Sequence, residues 1–141
     1  MNSAVSNRRL KIGEVASVSG LSVKTIRYYE EIGLLSPTVL RAESGYRLFT
    51  ANVLDRLGFI KQAQSLGLSL ADVKELLQLH DRGVLPCGAA KQQLQEKIEQ
   101  IEMAIVALTQ QRSHLKMILA EWNEQPTIVQ PTTKICPNLQ K

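Results

Sequence analysis

Apolar positions recur along this chain first in short clusters and then in one long unbroken series. Over residues 11–19, Ile12, Val15 and Ala16 share one face of a short helix, and Gly20 follows as a C-terminal stop. Ser22 is placed to cap a second helix over residues 23–32, in which Val23, Ile26 and Tyr29 repeat at helical spacing before Gly33 ends it. Two short helices joined by a tight, glycine-containing turn predict a helix-turn-helix. From Leu34 to Thr50 the rhythm changes. Pro37 and Ser44-Gly45 are turn signals, and the strand-forming runs Thr38-Val39-Leu40 and Tyr46-Arg47-Leu48-Phe49 predict a small β-hairpin, a wing. Thr50 can then cap a helix over residues 51–65, with Val53, Leu54, Leu57, Ile60 and Ala63 facing inward. Ser69 can cap another over residues 70–79, with Asp72 at its third position near the favourable end of the helix dipole. Asp81-Arg82-Gly83 breaks that pattern.

The long series starts at Pro86, which suits the first turn of a helix. Residues 87–122 hold no proline, and no glycine after Gly88. At 1.5 Å per residue such a helix is roughly 54 Å long, too long for a small globular head. Its apolar residues are Leu94, Ile98, Ile101, Ile105, Leu108, Leu115, Leu119 and Trp122, with Arg112 in the remaining position. Their spacing alternates between four and three, the seam of a two-stranded coiled coil. A lone helix cannot bury that seam. Packing onto the chain's own head is one outlet, but the length favours a partner helix and a homodimer. Residues 1–9 read as a loose arm. Residues 123–141, with Pro126, Pro131 and Pro137, read as a loop-rich tail. The fold class is therefore mainly α: a winged helix-turn-helix head over residues 10–80, a dimerisation helix over 86–122 and a tail.

Charge sharpens this picture. The net charge is +4, and all of the excess sits in the first half. Residues 1–65 carry nine basic and five acidic side chains, whereas residues 66–141 carry eight of each. A localised basic face is the footprint of a polyanionic partner. The aromatic content of 4% argues against a large aromatic-lined ligand pocket. The basic, polar start and the lack of any stretch near the roughly 18 apolar residues of a membrane span predict a cytoplasmic protein with no membrane partner. Two cysteines, Cys87 and Cys136, make no disulfide framework; in a reducing cytosol they suggest metal ligation, redox sensing or plain packing. No nucleophile–base–orienter set is visible, and neither His80 nor His114 stands in a catalytic motif, so the chain is not read as an enzyme.

Several segments together resemble the MerR family of bacterial transcription regulators. They are Lys11-Ile12-Gly13-Glu14-Val15-Ala16, Gly20-Leu21-Ser22 and Thr25-Ile26-Arg27-Tyr28-Tyr29-Glu30. Gly33-Leu34-Leu35, Ser44-Gly45-Tyr46-Arg47 and Phe59-Ile60-Lys61-Gln62-Ala63 with Leu66-Gly67 follow in the family's order and spacing. The long helix with a short cysteine-bearing tail resembles the metal-sensing branch rather than the drug-sensing branch. The resemblance implies that the second helix of the head enters the major groove, with Lys24, Thr25, Arg27 and Tyr28 at its contact surface. Arg41, Tyr46 and Arg47 of the wing would grip the flanking backbone. It further implies an antiparallel dimer on promoter DNA that distorts the duplex when its inducer binds, so that RNA polymerase can engage.

In an antiparallel dimer the start of one long helix meets the end of the other, so Cys87 of one subunit can meet Cys136 of its partner. Two thiolates select thiophilic ions: zinc, cadmium, lead, mercury or monovalent copper. Within the metal-sensing branch a cysteine at the Cys87 position is typical of divalent-ion sensors, and copper sensors usually carry serine there; a divalent ion is therefore favoured. This chain departs from the branch in its tail. The first of the usual two tail cysteines would fall near Trp122, and none is there. A third ligand would come from His80, Asp81, Glu124, water or another residue that the sequence does not single out. The same two cysteines could instead form a redox-switched intersubunit disulfide, which is the alternative function.

Overall fold

The computed structural model describes residues 8–127 and 132–140. It divides into two compact units, residues 1–97 and 98–141. The first contains strand β1 (Arg9–Lys11), helices α1 (Ile12–Ser19) and α2 (Val23–Glu31), and a 3-10 turn over Ser36–Thr38. Strands β2 (Val39–Arg41) and β3 (Arg47–Thr50) follow, then helices α3 (Asn52–Ser65) and α4 (Leu70–Asp81). Helix α5 (Cys87–Ala120) begins in this unit and runs 34 residues, through most of the second. The protein is mainly helical, with one small sheet.

Local chemistry accounts for each boundary. Gly20 closes α1 in the left-handed region at φ 76°, and its N–H donates to the Ala16 carbonyl. Ser22 caps α2 by accepting from the Thr25 N–H at 3.1 Å. Ser69 and Asp72 form the reciprocal capping box of α4, with bonds of 3.1 and 3.0 Å. Thr50 is used differently from its predicted role. It is the last residue of β3, and Ala51 stands at the start of α3 with no side-chain cap.

The sheet has the order β1-β3-β2, all antiparallel, with Leu10 opposite Phe49 and Val39 opposite Phe49 on either side. Strand β1 was not expected. Arg9, assigned from sequence to the arm, pairs with Thr50, and Lys11 ends a strand rather than beginning a helix. A three-residue strand carries too little alternation to be read as one. The rest of the predicted arm, residues 1–7, lies outside the described residues.

One core fills the head. Val15 from α1, Ile26 and Tyr29 from α2, and Leu34 and Leu35 from the following turn meet Phe49 of β3. Val53, Leu57 and Ile60 of α3 and Val73, Leu76 and Leu77 of α4 complete it. Burial of such side chains is worth about 1.5–3 kcal/mol each, and it orients α2 so that its other face is free. Gln93 anchors the first turns of α5 to α4: it is buried and donates to the Asp72 carbonyl at 3.1 Å and to Glu75 at 3.3 Å. Beyond that point the seam is uncovered. Ile98, Ile101, Ile105, Leu108, Leu115 and Leu119 are all more than half exposed. Among the described residues no helix is long and apolar enough to cross a membrane.

Candidate nucleic-acid interface and cysteine pair

Because Ile26 and Tyr29 point into the core, the residues between them face outward. Lys24 and Arg27 are exposed, and Tyr28 is 49% exposed although it is a large aromatic side chain. Thr25 is only half-buried, and its hydroxyl lies 2.9 Å from that of Ser22, so it belongs as much to the helix cap as to the surface. Tyr28 and Tyr29 lie with ring centroids 6.3 Å apart, and the Tyr29 hydroxyl donates to Gln64 of α3 at 3.0 Å. Buried Tyr29 thus fixes the azimuth of the helix that presents Lys24, Arg27 and Tyr28.

The wing is attached to this helix by charge. Glu30, in the last turn of α2 and largely covered, forms ion pairs with Arg47 of β3 and with Arg41 of β2, the latter at 3.5 Å. Arg41 also donates to the Gly45 carbonyl at 3.2 Å across the wing turn, where Gly45 sits at φ 85°. Tyr46 stands free at the tip, 73% exposed. Of the seven sequence-predicted contact residues, five (Lys24, Arg27, Tyr28, Arg41 and Tyr46) are exposed on one helix and one hairpin, while Thr25 and Arg47 are half-buried. Glu30 was missed. An acidic residue in a basic region reads as an ordinary helix surface position, and only the hairpin's fold brings it against two arginines.

One arginine of the basic first half is withdrawn from this surface. Arg56 of α3 is buried, its Nε donates to the Leu34 carbonyl, and its two terminal nitrogens make a fork on Asp81 at 2.7 and 2.9 Å. The hydrogen bond from Arg56 holds the Asp81 carboxyl below its usual pKa, against the opposing effect of burial, with smaller favourable contributions from the charges of Arg56 and His80. This corrects one sequence-based option. Both Asp81 oxygens are engaged by Arg56, so Asp81 is not a free ligand for a metal. Helix α4 continues to Asp81, two residues past its predicted end. His80 is exposed and lines, with Pro37, Phe59, Leu77 and Pro86, an open cavity of about 520 Å³ on the head.

Cys87 is the first residue of α5 and is exposed; Cys136 is half-buried in the second unit; both are free thiols. Among the described residues the tail past residue 122 is loop, as its prolines predict, and it closes into a turn at Cys136. Residues 128–131 lie outside the described residues, but Cys136 to Gln140 form a tight turn. Leu139 and Gln140 donate to the Cys136 carbonyl, each at 3.1 Å. The donor set suits a soft cation. Among the described residues, however, no group of three or more His, Cys, Asp or Glu side chains within the chain could hold one. Glu124 and His114 are exposed.

Comparison with known proteins agrees with this geometry. A family described as MerR HTH family regulatory protein matches residues 10–80, and one described as MerR, DNA binding matches residues 54–118. The chain is 40% identical over 107 residues to the heavy metal-dependent transcription regulator 2 of Rhizobium meliloti, covering 76% of this chain and 72% of that one. It is also 40% identical over 97 residues to the mercuric resistance operon regulatory protein of Bacillus cereus, covering 69% and 73%. A transcription regulator from Ralstonia metallidurans, solved in complex with lead(II), superposes with a TM-score of 0.73 at 29% identity, covering 84% of this chain and 91% of that one.

Proposed function

The chain belongs to the MerR family of helix-turn-helix regulatory proteins, and on that footing we propose that it is a homodimeric transcription regulator switched by a thiophilic metal ion. The observation that carries the proposal is the seam of α5. Its apolar residues from Ile98 to Leu119 lie exposed in the single chain at coiled-coil spacing, with one free cysteine at the helix start and the other beyond its end. An antiparallel partner covers that seam and brings Cys87 of one subunit to Cys136 of the other. Cys87 and Cys136 would hold a thiophilic ion there as thiolates, and the ion would supply the link between the subunits. A divalent ion is favoured by the cysteine at position 87, and relatives named for heavy metal and mercury, with a lead(II)-bound neighbour, agree with a soft cation. The third ligand is water or an exposed side chain such as His80 or Glu124.

On DNA, Lys24, Thr25, Arg27 and Tyr28 of α2 face the major groove of promoter DNA, while Arg41, Tyr46 and Arg47 of the wing meet the backbone. Bridging the cysteines changes how two heads are held on one duplex. The resulting DNA distortion lets RNA polymerase engage in the cytoplasm.

The test is anaerobic titration of the reduced protein with zinc, cadmium, mercury and monovalent copper, beside Cys87→Ser and Cys136→Ser. One tightly bound divalent ion per subunit, lost in either variant, is the expected result. No tight binding of any ion overturns metal sensing and leaves the intersubunit disulfide to be sought under oxidation.

A further inference from the structure

The tail that carries Cys136 is fastened just past the end of the long helix through the side chain of Asn138. Asn138 is 6% exposed, although Ile135 and Leu139 on either side of it are largely exposed. Its Oδ1 accepts from the Asn123 N–H at 2.8 Å, and its Nδ2 donates to the Asn123 carbonyl at 2.9 Å. The amide thus imitates a peptide unit and pairs with the backbone of one residue in both directions. A second amide does a similar task within the tail: Gln140 Oε1 accepts from the N–H groups of Ile135 and Cys136, at 2.7 and 2.8 Å. The Asn123 side chain in turn accepts from the Gln125 N–H at 3.0 Å, shaping the chain as it leaves the helix. These bonds hold Asn138 to Asn123 and pin the backbone on both sides of the Cys136 thiol.

We propose that Asn138 is a positioning residue of the sensor: its two-way clasp on Asn123 holds Cys136 in place before any ion arrives. The inference rests on the reading of Cys136 as a ligand and deepens it. Cys136 is the one cysteine of the tail, and the Asn138 clasp ties its segment to Asn123, just past the helix end. The clasp performs the tethering without metal, so that two thiolates from two subunits meet an ion with little left to order. Ordering a free segment costs roughly 1–2 kcal/mol per residue, and a tether formed in advance removes part of that cost from the binding step.

The experiment uses the full-length reduced dimer and cadmium, with wild type, Asn138→Ala, Asn138→Asp and Cys136→Ser compared. Three readouts are taken: cadmium affinity, the thiolate-to-cadmium absorption band at saturation, and the rate at which a small alkylating reagent modifies Cys136 without metal. Asn138→Ala is expected to bind cadmium about tenfold more weakly, in the lower part of the range found when supports of metal ligands are removed. It reaches the same absorption band at saturation, because the ligands are unchanged, and Cys136 is alkylated faster. Asn138→Asp, which keeps the acceptor for the Asn123 N–H but not the donor, falls between. Operator binding without metal stays at the wild-type level, since the head is untouched. If Cys136→Ser abolishes binding while Asn138→Ala matches wild type in affinity and alkylation rate, the clasp has no positioning role, and Cys136 stands as a ligand. If Cys136→Ser binds as wild type, Cys136 is not a ligand and the proposal falls with that reading. A diminished band in saturated Asn138→Ala means that a thiolate is lost from the site, so that Asn138 is needed to form the ligand set and not merely to hold it in advance, and this also overturns the proposal.

Discussion

At the scale of single residues, three arginines that look alike in the sequence do three different things. Arg27 is exposed on α2, Arg47 is shared with Glu30, and Arg56 is buried in a fork on Asp81. Arg27→Ala is expected to weaken operator binding at fixed salt by one to three kcal/mol if it reads a base edge, or to lower the salt slope by about one if it meets phosphate. Fluorescence anisotropy at several salt concentrations separates these, and dimerisation should not change. Arg56→Ala leaves the Leu34 carbonyl without its donor and Asp81 without its cation. Loss of one partner of a buried ion pair costs about 3–5 kcal/mol. Asp81 retains some solvent exposure, so about 3 kcal/mol is the expected loss in urea unfolding at fixed protein concentration. The pH dependence follows from the lowered Asp81 pKa. A carboxyl held below its unfolded value stabilises the fold at pH above that unfolded value. The contribution fades as pH falls through the folded value. Wild type should therefore lose stability in acid, whereas Arg56→Ala should show a flatter acid limb. An equally steep limb in the variant would remove the Arg56–Asp81 pair as its cause.

At the scale of elements, much of the head was legible because its signals are local. Gly20, Ser22, Gly33 and Ser69 stop and start helices through their own backbone and side-chain bonds, and the structure places them at those boundaries. What could not be read was set by residues far apart in the chain. Strand β1 exists because β3 offers it an edge, the covering of Arg56 depends on α4 reaching Asp81, and Glu30 meets the wing only when the hairpin has closed. Asn138 is the extreme case, since a polar tail residue gives no sign of its partner fifteen positions earlier. Helix α5 shows the converse. Its four-three seam was plain, but a single chain gives Ile101 and Ile105 nothing to pack against. Replacing both with lysine puts two charges into the proposed interface, where burying unpaired charge is strongly unfavourable. Sedimentation is expected to shift from dimer to monomer. Persistence of the dimer would place the contact elsewhere, whereas the head, whose core does not involve these residues, should retain its circular dichroism.

At the scale of the whole molecule, the proposed arrangement of the two cysteines across subunits makes a prediction that a site within one chain could not satisfy. In a dimer of Cys87→Ser subunits both sites lack their first thiol, and in a dimer of Cys136→Ser subunits both lack their second. A mixed dimer is different. The Cys136→Ser subunit contributes an intact Cys87, the Cys87→Ser subunit contributes an intact Cys136, and antiparallel pairing puts these two at the same end of the coiled coil. The other end then carries two serines and no thiol. Mixed dimers isolated through two different affinity tags should therefore regain one tight cadmium site, although neither parent has any. If each site were built within a single subunit, every subunit of the mixed dimer would still lack one thiol, and mixing would restore nothing. The comparison needs no knowledge of the third ligand or of the natural ion, because both parents and the mixed dimer share whatever else surrounds the thiols. It also separates the antiparallel from the parallel dimer: parallel pairing juxtaposes Cys87 with Cys87 and Cys136 with Cys136, leaving a lone thiol at each end of the mixed species and no tight site at either.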